Sequence, residues 1–313
     1  MALFPQAPPP ARAHSTLPYL LSSVPSPPPA LSCPAKADRK FVPMSEKEVL
    51  YSRQGAVGTI TLNRPKRGNA LSGPMVNLFV DILNAAIDDP AVRVIVVTGN
   101  GKYFCTGMDL TPQDDTPSAS DPVATTQTMF TTLLRSPKPT VARMNGPALG
   151  GGVGIVFGCN FRIVHPSAYF SMPEVHRGLI PALISEVIVP QLGPFRSKQY
   201  MLSGERVSAQ EAHRVGFVTA VVEDDESLDK KVKEYVDLLL QSGPGAMRDV
   251  KQLVDAVDLR GGDQQAVATY VREAFGKMIS SEEAAHGIGA FASREKPNWD
   301  DFGLGSDKLK PKL

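Results

Sequence analysis

The stretch LGGGVGIVFGCN, residues 149–160, places three consecutive glycines at the start of an apolar run. Glycine allows a close approach to the backbone, and the first N–H groups of a helix have no partner within it. The pattern indicates either a turn whose amides face a ligand or a helix start that packs closely. It contains no acid, base or nucleophile, so any reacting group lies elsewhere. The lysine and serine of a phosphate-binding loop and the GxGxxG spacing of a dinucleotide site are absent from it.

The cysteines do not supply the missing chemistry. Cys33, Cys105 and Cys159 are far apart, odd in number and without metal-ligand spacing, so we expect neither a disulfide framework nor a zinc site. A reduced compartment fits this usage best. Cys105 is interpreted as a small buried thiol. The alternative, a nucleophile, has no obvious accompanying base. No metal or redox cofactor is predicted.

Composition indicates an ordinary folded chain with a full core. The chain has 313 residues, of which 42% are hydrophobic and 21% charged, and its net charge is +1. Without a basic block, nucleic acid is not expected as the main partner. The longest apolar run, residues 148–158, is shorter than the roughly 18 residues that a membrane span needs.

The two ends of the chain differ from the rest. Residues 1–43 are rich in proline and serine, and their first acidic residue is Asp38. This segment resembles an organelle-targeting presequence, with a plain disordered tail as the alternative. The chain ends in Pro-Lys-Leu, a loose relative of the peroxisomal Ser-Lys-Leu signal. We therefore expect an organellar location, with the mitochondrial matrix favoured and a peroxisomal or cytoplasmic location as alternatives.

The middle of the chain carries several strand patterns. Residues 57–65 alternate in hydrophobicity, and residues 92–99 form an apolar run typical of a strand buried on both faces. Residues 139–146 predict a strand that leads into the glycine turn. The segments 161–165 and 168–172 predict two more short strands, and residues 216–222 a later one.

Helix patterns alternate with these strands and dominate after about residue 195. Ser72 and Pro74 are start signals for a helix with one apolar face. That face consists of Met75, Leu78, Phe79, Ile82, Leu83 and Ala86. Capping boxes are predicted at Ser208–Glu211 and Ser280–Glu283. The alternation of strands and helices predicts a layered α/β core followed by a helical module.

Six segments in this order resemble the crotonase, or enoyl-CoA hydratase/isomerase, superfamily. They are TITLNRPKRGNALS (59–72), VIVVTGNGKYFCTGMDL (94–110), MNGPALGGGVGI (144–155), FSMPEVHRGLIPA (170–182), MLSGERVSAQEAHRVGFVTAVV (201–222) and AFASREKPNW (290–299).

The resemblance implies a repeated ββα spiral core with a C-terminal helical part that packs trimers, often paired into hexamers. We accordingly expect residues 44–240 to form the core and residues 241–313 to form the helical oligomerisation module and tail. The implied substrate is an acyl-CoA thioester. Coenzyme A is then part of the substrate, and no separate cofactor is implied.

The same resemblance implies an oxyanion hole at two separate turns. A thioester α-carbon is a poor acid until charge moves onto the carbonyl oxygen, and one well-aimed N–H donor is typically worth about 10²–10³ in rate. The family's two donors match Met108 and Gly151. Gly151 would also present the positive end of a helix dipole. The adjacent Gly107 and Gly150 are expected to let the thioester approach closely.

Two-carboxylate hydratases of the family carry glutamates at positions that match Gly154 and Glu174. Only Glu174 is an acid here. Its apolar surroundings should bury the carboxyl and raise its pKa, so we expect it to be the catalytic acid/base rather than a carboxylate on a surface loop. The motifs look most like single-glutamate hydratases of methylglutaconyl-CoA type. In these, glycine at the position of Gly154 leaves room for a branched or carboxylated acyl group.

Several basic residues resemble coenzyme A contacts. Arg64, Lys66 and Arg67 belong to the first family segment, and Ala70 is assigned to the same binding set. The alternative for these cations is a solvated surface loop. By family analogy alone, Lys296 is expected to reach the coenzyme A of a neighbouring subunit.

Three more residues near the predicted site have two interpretations each. His176 either contacts substrate or packs and faces solvent. Arg177 either pairs with an acyl carboxylate or is solvated. Asp109 belongs to the substrate-binding set, although hydrogen bonding within the turn is the favoured role for its carboxylate.

The predicted activity is hydration of a 2-enoyl-CoA, with Glu174 moving the α-carbon proton and orienting water. An isomerase that uses the same glutamate twice is the closest alternative, and a decarboxylase would need little more than the oxyanion hole. The non-enzymatic alternative is an inactive acyl-CoA-binding scaffold.

Overall fold

A computed structural model describes residues 47–111, 121–259 and 262–303 of the protein. The segment 1–43 with Cys33 and the C-terminal Pro-Lys-Leu lie outside these ranges. The strands are Val49–Gln54 (β1), Val57–Leu62 (β2), Val94–Gly99 (β3), Thr140–Met144 (β4), Ala148–Leu149 (β5), Phe161–Val164 (β6), Tyr169–Ser171 (β7), Val207–Ser208 (β8) and Ala220–Val221 (β9). The helices are Gly73–Asp88 (α1), Pro122–Leu134 (α2), Gly151–Gly158 (α3), Ala182–Ser203 (α4), Ala209–Arg214 (α5), Asp225–Leu240 (α6), Pro244–Leu259 (α7), Gln264–Ile279 (α8) and Glu282–Ala292 (α9).

The strands form two sheets. A six-stranded sheet has the order β1-β2-β3-β4-β6-β9, with β1 antiparallel to β2 and the other pairs parallel. Every residue of β3 is buried, as expected for a strand covered on both faces. A smaller sheet has the order β5-β7-β8. This is an α/β fold with a helical C-terminal region, as predicted.

Helix α1 begins where the sequence signals predict. The Ser72 Oγ accepts a hydrogen bond from the Met75 N–H and so caps the helix. The apolar side of α1 packs into the main core, with Phe79 and Leu83 fully buried. The predicted cap at Ser208 is also present, because its Oγ accepts the Glu211 N–H.

Helix α3 is apolar on every side and buried along its whole length, which is the pattern of a helix enclosed by other elements. It packs between α2 and α4. The buried Arg162 side chain donates hydrogen bonds to the carbonyl groups of Val156, Phe157 and Cys159 at the C-terminal end of α3. A cation at this end satisfies free carbonyls and the helix dipole, so it fixes the helix in place.

The second predicted capping box is displaced by one residue. Helix α9 is capped by Ser281, whose Oγ accepts the Ala284 N–H, rather than by Ser280. Glu283 instead accepts hydrogen bonds from the Gly245 and Ala246 N–H groups at the start of α7. A carboxylate stabilises these free amides because it satisfies them and the dipole of α7 together.

The strand predicted at 216–222 is shorter than expected and consists of β9 alone. Within the described ranges, no helix combines the length and the apolar character needed to cross a bilayer.

Candidate active site

The Met108 amide is oriented by a parallel bridge to Leu71. Leu71 N–H donates to Gly107 O at 2.8 Å, and Asp109 N–H donates to Leu71 O at 3.0 Å. Because peptide groups alternate in direction along an extended chain, the Met108 N–H points away from Leu71. It has no acceptor among the described residues.

The second amide lies at the start of α3. Gly150 adopts φ 48° and ψ −120°, and its N–H donates to Ser171 O at 2.9 Å. Gly151 is the first residue of α3, so its N–H has no partner within the helix. A carbon built as Cβ on Gly151 would lie 3.8 Å from the Met108 N, and one on Gly107 would lie 3.2 Å from the Gly151 N. The two free amides therefore share one small volume.

Glu174 brings a carboxyl group to the same place. It lies in a short 3₁₀ turn, Pro173–Arg177, which begins two residues after the end of β7. Its Oε1 is 2.8 Å from the point that a Cβ of Gly150 would occupy, so a side chain at position 150 would displace the carboxyl. Its Oε2 is buried without a hydrogen-bond partner among the described residues. Burial raises the pKa of Glu174 above the ordinary glutamate value of 4.5, and Arg177 partly opposes this shift.

These groups line a cavity of about 680 Å³. Met108, Gly151 and Glu174 meet in its wall, and most of the remaining lining is apolar. Among the described lining residues, Glu174 and Arg177 carry the charges. An apolar wall lowers the local dielectric constant and so strengthens interactions with developing charge. The cavity can therefore hold a polarised carbonyl beside a carboxyl that exchanges protons.

Gly154 does not provide the room that we expected. A Cβ on this residue would lie 2.6 Å from Ile184 Cγ2 and 2.7 Å from the Phe130 ring. The space beside Gly154 is therefore filled by the protein itself. Gly154 is buried behind these two side chains, and they, rather than Gly154, line the cavity.

Arg64 and Asp109 are bound to each other rather than free for a ligand. Arg64 Nη1 lies 3.0 Å from Asp109 Oδ2, and Arg64 Nε lies 2.8 Å from a Glu48 oxygen. A hydrogen bond from Thr111, together with Arg64, lowers the pKa of Asp109 to about 2. The favoured structural role of Asp109 matches these contacts. This network links the loop before α1 to the turn that presents Met108.

His176 faces away from the cavity. Its Nε2 lies 2.9 Å from the Ser203 carbonyl oxygen at the end of α4, so the ring joins the 3₁₀ turn to α4 and is not among the residues that line the cavity. Arg177 is exposed and does line the cavity. Its hydrogen bond to Pro173 O is long, at 3.4 Å.

The other predicted coenzyme A contacts lie outside this lining. Lys66 and Lys296 are exposed, and Arg67 is held near Asp109 at 3.4 Å. Ala70 contributes its carbonyl oxygen to Arg64. Contacts of Lys66, Arg67, Ala70 and Lys296 with coenzyme A stay predictions.

Cys105 is a buried structural thiol. Its Sγ donates to Asn69 O at 3.1 Å, and burial raises the pKa of the thiol to about 12. A thiol with this pKa is a poor nucleophile near neutral pH. No group of three or more His, Cys, Asp or Glu side chains in the described ranges is arranged to hold a metal ion.

Asn69 is a supporting residue that the sequence analysis missed. It is fully buried and adopts a left-handed φ of 55°. Its Nδ2 donates to the carbonyl oxygens of Asn100, Tyr103 and Phe104, and its Oδ1 accepts the Arg64 N–H. It therefore ties the segment before α1 to the segment that leads into Gly107. Its place after a glycine, in Gly68-Asn69, was a usable signal, because asparagine tolerates the left-handed region.

We expect Asn69→Ala to lower the free energy of unfolding by about 3–5 kcal/mol. The substitution removes the Asn69 donor from three carbonyl groups, of which the Tyr103 carbonyl keeps only a long hydrogen bond from Asn145, and it places alanine in a left-handed conformation. Chemical denaturation of both proteins measures the difference. The control is Asn77→Ala on the exposed side of α1, which should change stability by less than about 0.5 kcal/mol. A similarly small change for Asn69→Ala would contradict the role assigned to its side chain.

Comparison with known proteins agrees with this geometry. The sequence profile described as enoyl-CoA hydratase/isomerase matches residues 52–302. The enoyl-CoA hydratase ACTT6 of Alternaria alternata is 32% identical over 239 residues, which cover 76% of this chain and 79% of that protein. The 2,3-dehydroadipyl-CoA hydratase of Escherichia coli is 30% identical over 259 residues, covering 80% and 98%. The crystal structure of an enoyl-CoA hydratase/isomerase from Marinobacter aquaeolei superposes with a TM-score of 0.74 at 29% identity, covering 81% and 99%.

The α/β fold, with two free amides beside the half-buried Glu174 carboxyl, agrees with these relatives. The chain belongs to the enoyl-CoA hydratase/isomerase family.

Proposed function

We propose that the protein hydrates a 2-enoyl-CoA thioester, with Glu174 as its single acid/base. The observation that carries this proposal is the meeting of three groups in one cavity. They are the N–H groups of Met108 and Gly151, which have no acceptor among the described residues, and the half-buried Glu174 carboxyl, whose Oε2 has no partner there. Relatives named as hydratases support the same reaction.

The proposed reaction begins with water held against the Glu174 carboxylate. Glu174 takes a proton from this water as the oxygen forms a bond to C3 of the substrate. The C2–C3 π electrons move toward the thioester, and the Met108 and Gly151 N–H groups stabilise the enolate oxygen. Glu174 then gives its proton to C2. Water has been added across the double bond, and the carboxylate is restored without a second acid.

The direct test is turnover of crotonyl-CoA, which is monitored as the loss of the absorbance of the conjugated thioester. Mass spectrometry should show a product heavier by one water. A product of unchanged mass from a 3-enoyl-CoA would instead favour the isomerase, and loss of carbon dioxide from a carboxylated thioester would favour the decarboxylase. Binding without any turnover across such a panel would overturn the enzymatic proposal in favour of an acyl-CoA-binding scaffold.

We further propose that the preferred acyl group carries a carboxylate, as in the substrates of methylglutaconyl-CoA-type hydratases. The glycine at position 154 does not support this proposal, because the space beside it is filled by other side chains. The support is Arg177, which lines the same largely apolar cavity as Glu174 and makes no ion pair within 4.0 Å among the described residues. A guanidinium recognises a carboxylate through paired hydrogen bonds. The Escherichia coli relative named for a dicarboxylic acyl group is in line with this choice.

Arg177→Gln should lower kcat/KM for methylglutaconyl-CoA or 2,3-dehydroadipyl-CoA by about 10- to 100-fold. This range corresponds to the loss of one charge-assisted interaction of about 1.5–3 kcal/mol. At a pH well above the pKa of Glu174, turnover of crotonyl-CoA should stay within about twofold, because its acyl group carries no carboxylate. Steady-state kinetics with both substrates measure the ratio, and Arg135→Gln at the exposed end of α2 is the control. Equal losses on both substrates would contradict carboxylate recognition.

We propose that the C-terminal helices form an oligomer interface. Val254 on α7, Phe275 on α8 and Phe291 on α9 are 60%, 61% and 84% exposed. A groove of about 810 Å³ lies among these helices and is lined by further apolar side chains. Exposed apolar surface on this scale is typical of a protein–protein contact. A trimer, or a pair of trimers, is the expected assembly.

Light scattering after size-exclusion chromatography measures the oligomeric state of the protein. The unmodified chain should elute as a trimer or hexamer. Phe275→Asp should dissociate it, because a charge would be buried in the interface. A monomeric unmodified chain would contradict the proposal.

A further inference from the structure

Gly151 and Gly154 lie on the same side of α3, because residues three apart are neighbours on a helix surface. Gly151 presents the oxyanion amide, so a side chain at position 154 would project one turn further along the same wall. Family members with two carboxylates carry their first glutamate there. In this chain the space for such a side chain is occupied by Ile184 and Phe130, which lie 2.6 Å and 2.7 Å from a Cβ built on Gly154.

The two closing side chains come from the helices on either side of α3. Phe130 belongs to α2 and is 1% exposed, and Ile184 belongs to α4 and is 3% exposed. Both also line the cavity that contains Glu174. They therefore have one side against α3 and another toward the space in which an acyl chain would lie.

Neither side chain can move aside easily. The Ile184 contact is made by Cγ2, which is attached directly to Cβ and has little freedom. The Phe130 ring is enclosed in the main core, where close packing resists displacement. The position is thus blocked by rigid groups rather than by the ends of flexible chains.

We infer that Phe130 and Ile184 form an apolar end wall that replaces the first carboxylate and limits the length of the acyl group. This inference rests on the proposed function for the direction in which substrate lies. The wall and a side chain at position 154 exclude each other, because both need the same volume. The absence of a second acid and the filled space beside Gly154 are then two results of one packing arrangement.

The first test measures binding of unreactive, saturated thioesters by calorimetry. In the unmodified protein, octanoyl-CoA should bind no more than about threefold more tightly than butanoyl-CoA. In Phe130→Ala and in Ile184→Ala, the preference for octanoyl-CoA should rise at least tenfold, because the opened space accepts the longer chain. Val123→Ala, on the exposed side of α2, should leave the preference unchanged.

Truncation of a buried ring can unfold a protein, so Phe130→Leu is measured beside Phe130→Ala, with the fold of each variant checked by circular dichroism. An unchanged chain-length preference in folded variants at both positions would overturn the end wall. That result would leave the proposed hydratase intact, since turnover of crotonyl-CoA is measured separately. Absence of any acyl-CoA binding would overturn both.

A second test addresses the shared volume through thermal unfolding. Gly154→Ala should lower Tm by several degrees, and the loss should be clearly smaller in an Ile184→Ala background, because the conflicting methyl group is gone. The control is Gly276→Ala in α8, where an added Cβ meets nothing within 4 Å; it should leave Tm unchanged or raise it. Equal Tm losses for Gly154→Ala in both backgrounds would contradict the exclusion.

Discussion

Glu174→Gln is expected to lower kcat/KM for a 2-enoyl-CoA by about 10²–10⁴-fold, the range for loss of one general acid/base. Glutamine has nearly the same shape, but it can neither take a proton from water nor return one to C2. Among the described residues of the cavity, no second carboxyl is present to replace it. The substitution should leave substrate binding largely intact, because the oxyanion amides are unchanged.

The pH dependence of the unmodified protein provides a further check. Burial raises the pKa of Glu174 above 4.5, and the proposed first step needs the ionised form. The rate should therefore fall as pH decreases through a midpoint above 4.5, and this acid limb should vanish from the residual activity of Glu174→Gln. Glu186→Gln, an exposed position on α4, is the matched control and should retain full activity. Full activity in Glu174→Gln would refute its assigned role.

Gly107→Ala is expected to lower kcat by about 10²-fold or more, although no side chain in the cavity is removed. Gly107 has φ +90°, and an added Cβ would lie 2.9 Å from Leu149 O and 3.2 Å from Gly151 N. The backbone must shift to relieve this contact, and the shift separates the two oxyanion amides. Loss of one such donor is worth about 10²–10³ in rate. Single-turnover kinetics would locate the loss in the chemical step.

Strain alone has to be separated from damage to the oxyanion hole. Gly55 also has a positive φ, +56°, but an added Cβ there meets nothing within 4 Å. Gly55→Ala should therefore carry a similar backbone cost of about 1–2 kcal/mol with unchanged kcat. If Gly107→Ala retains the kcat of the unmodified protein, the Met108 and Gly151 amides are not the catalytic donors.

Local signals in the sequence predicted much of the framework. The cap at Ser72, the buried strand β3 and the start of α3 at the glycines were readable because each depends on neighbouring residues. The burial of Glu174 was also predicted, from the apolar residues around it. These features need no knowledge of which distant segments meet.

The predictions that were wrong or missing concern features that depend on contacts between distant segments, or segments whose own helical signal is weak. Helix α2 was not predicted, because its run of threonines and its weak apolar stripe give little helical signal. Without α2, Phe130 could not be placed beside Gly154, and a glycine was taken to mean free space. Glu283 was misjudged for a similar reason. Its partners, the first amides of α7, lie far away in sequence.

The free donors that face the cavity at Met108 and Gly151 are peptide groups, and every residue except proline carries the same peptide N–H. Apart from a change to proline, a substitution can move such a donor out of line but does not delete it, as it would delete the side chain of an arginine or a serine. Relatives can therefore differ in most of their side chains, including those that contact the acyl group. They can still keep the two N–H donors, because the backbone conformation places them. Relatives that share fewer than a third of their residues with this chain are the expected outcome of such inheritance.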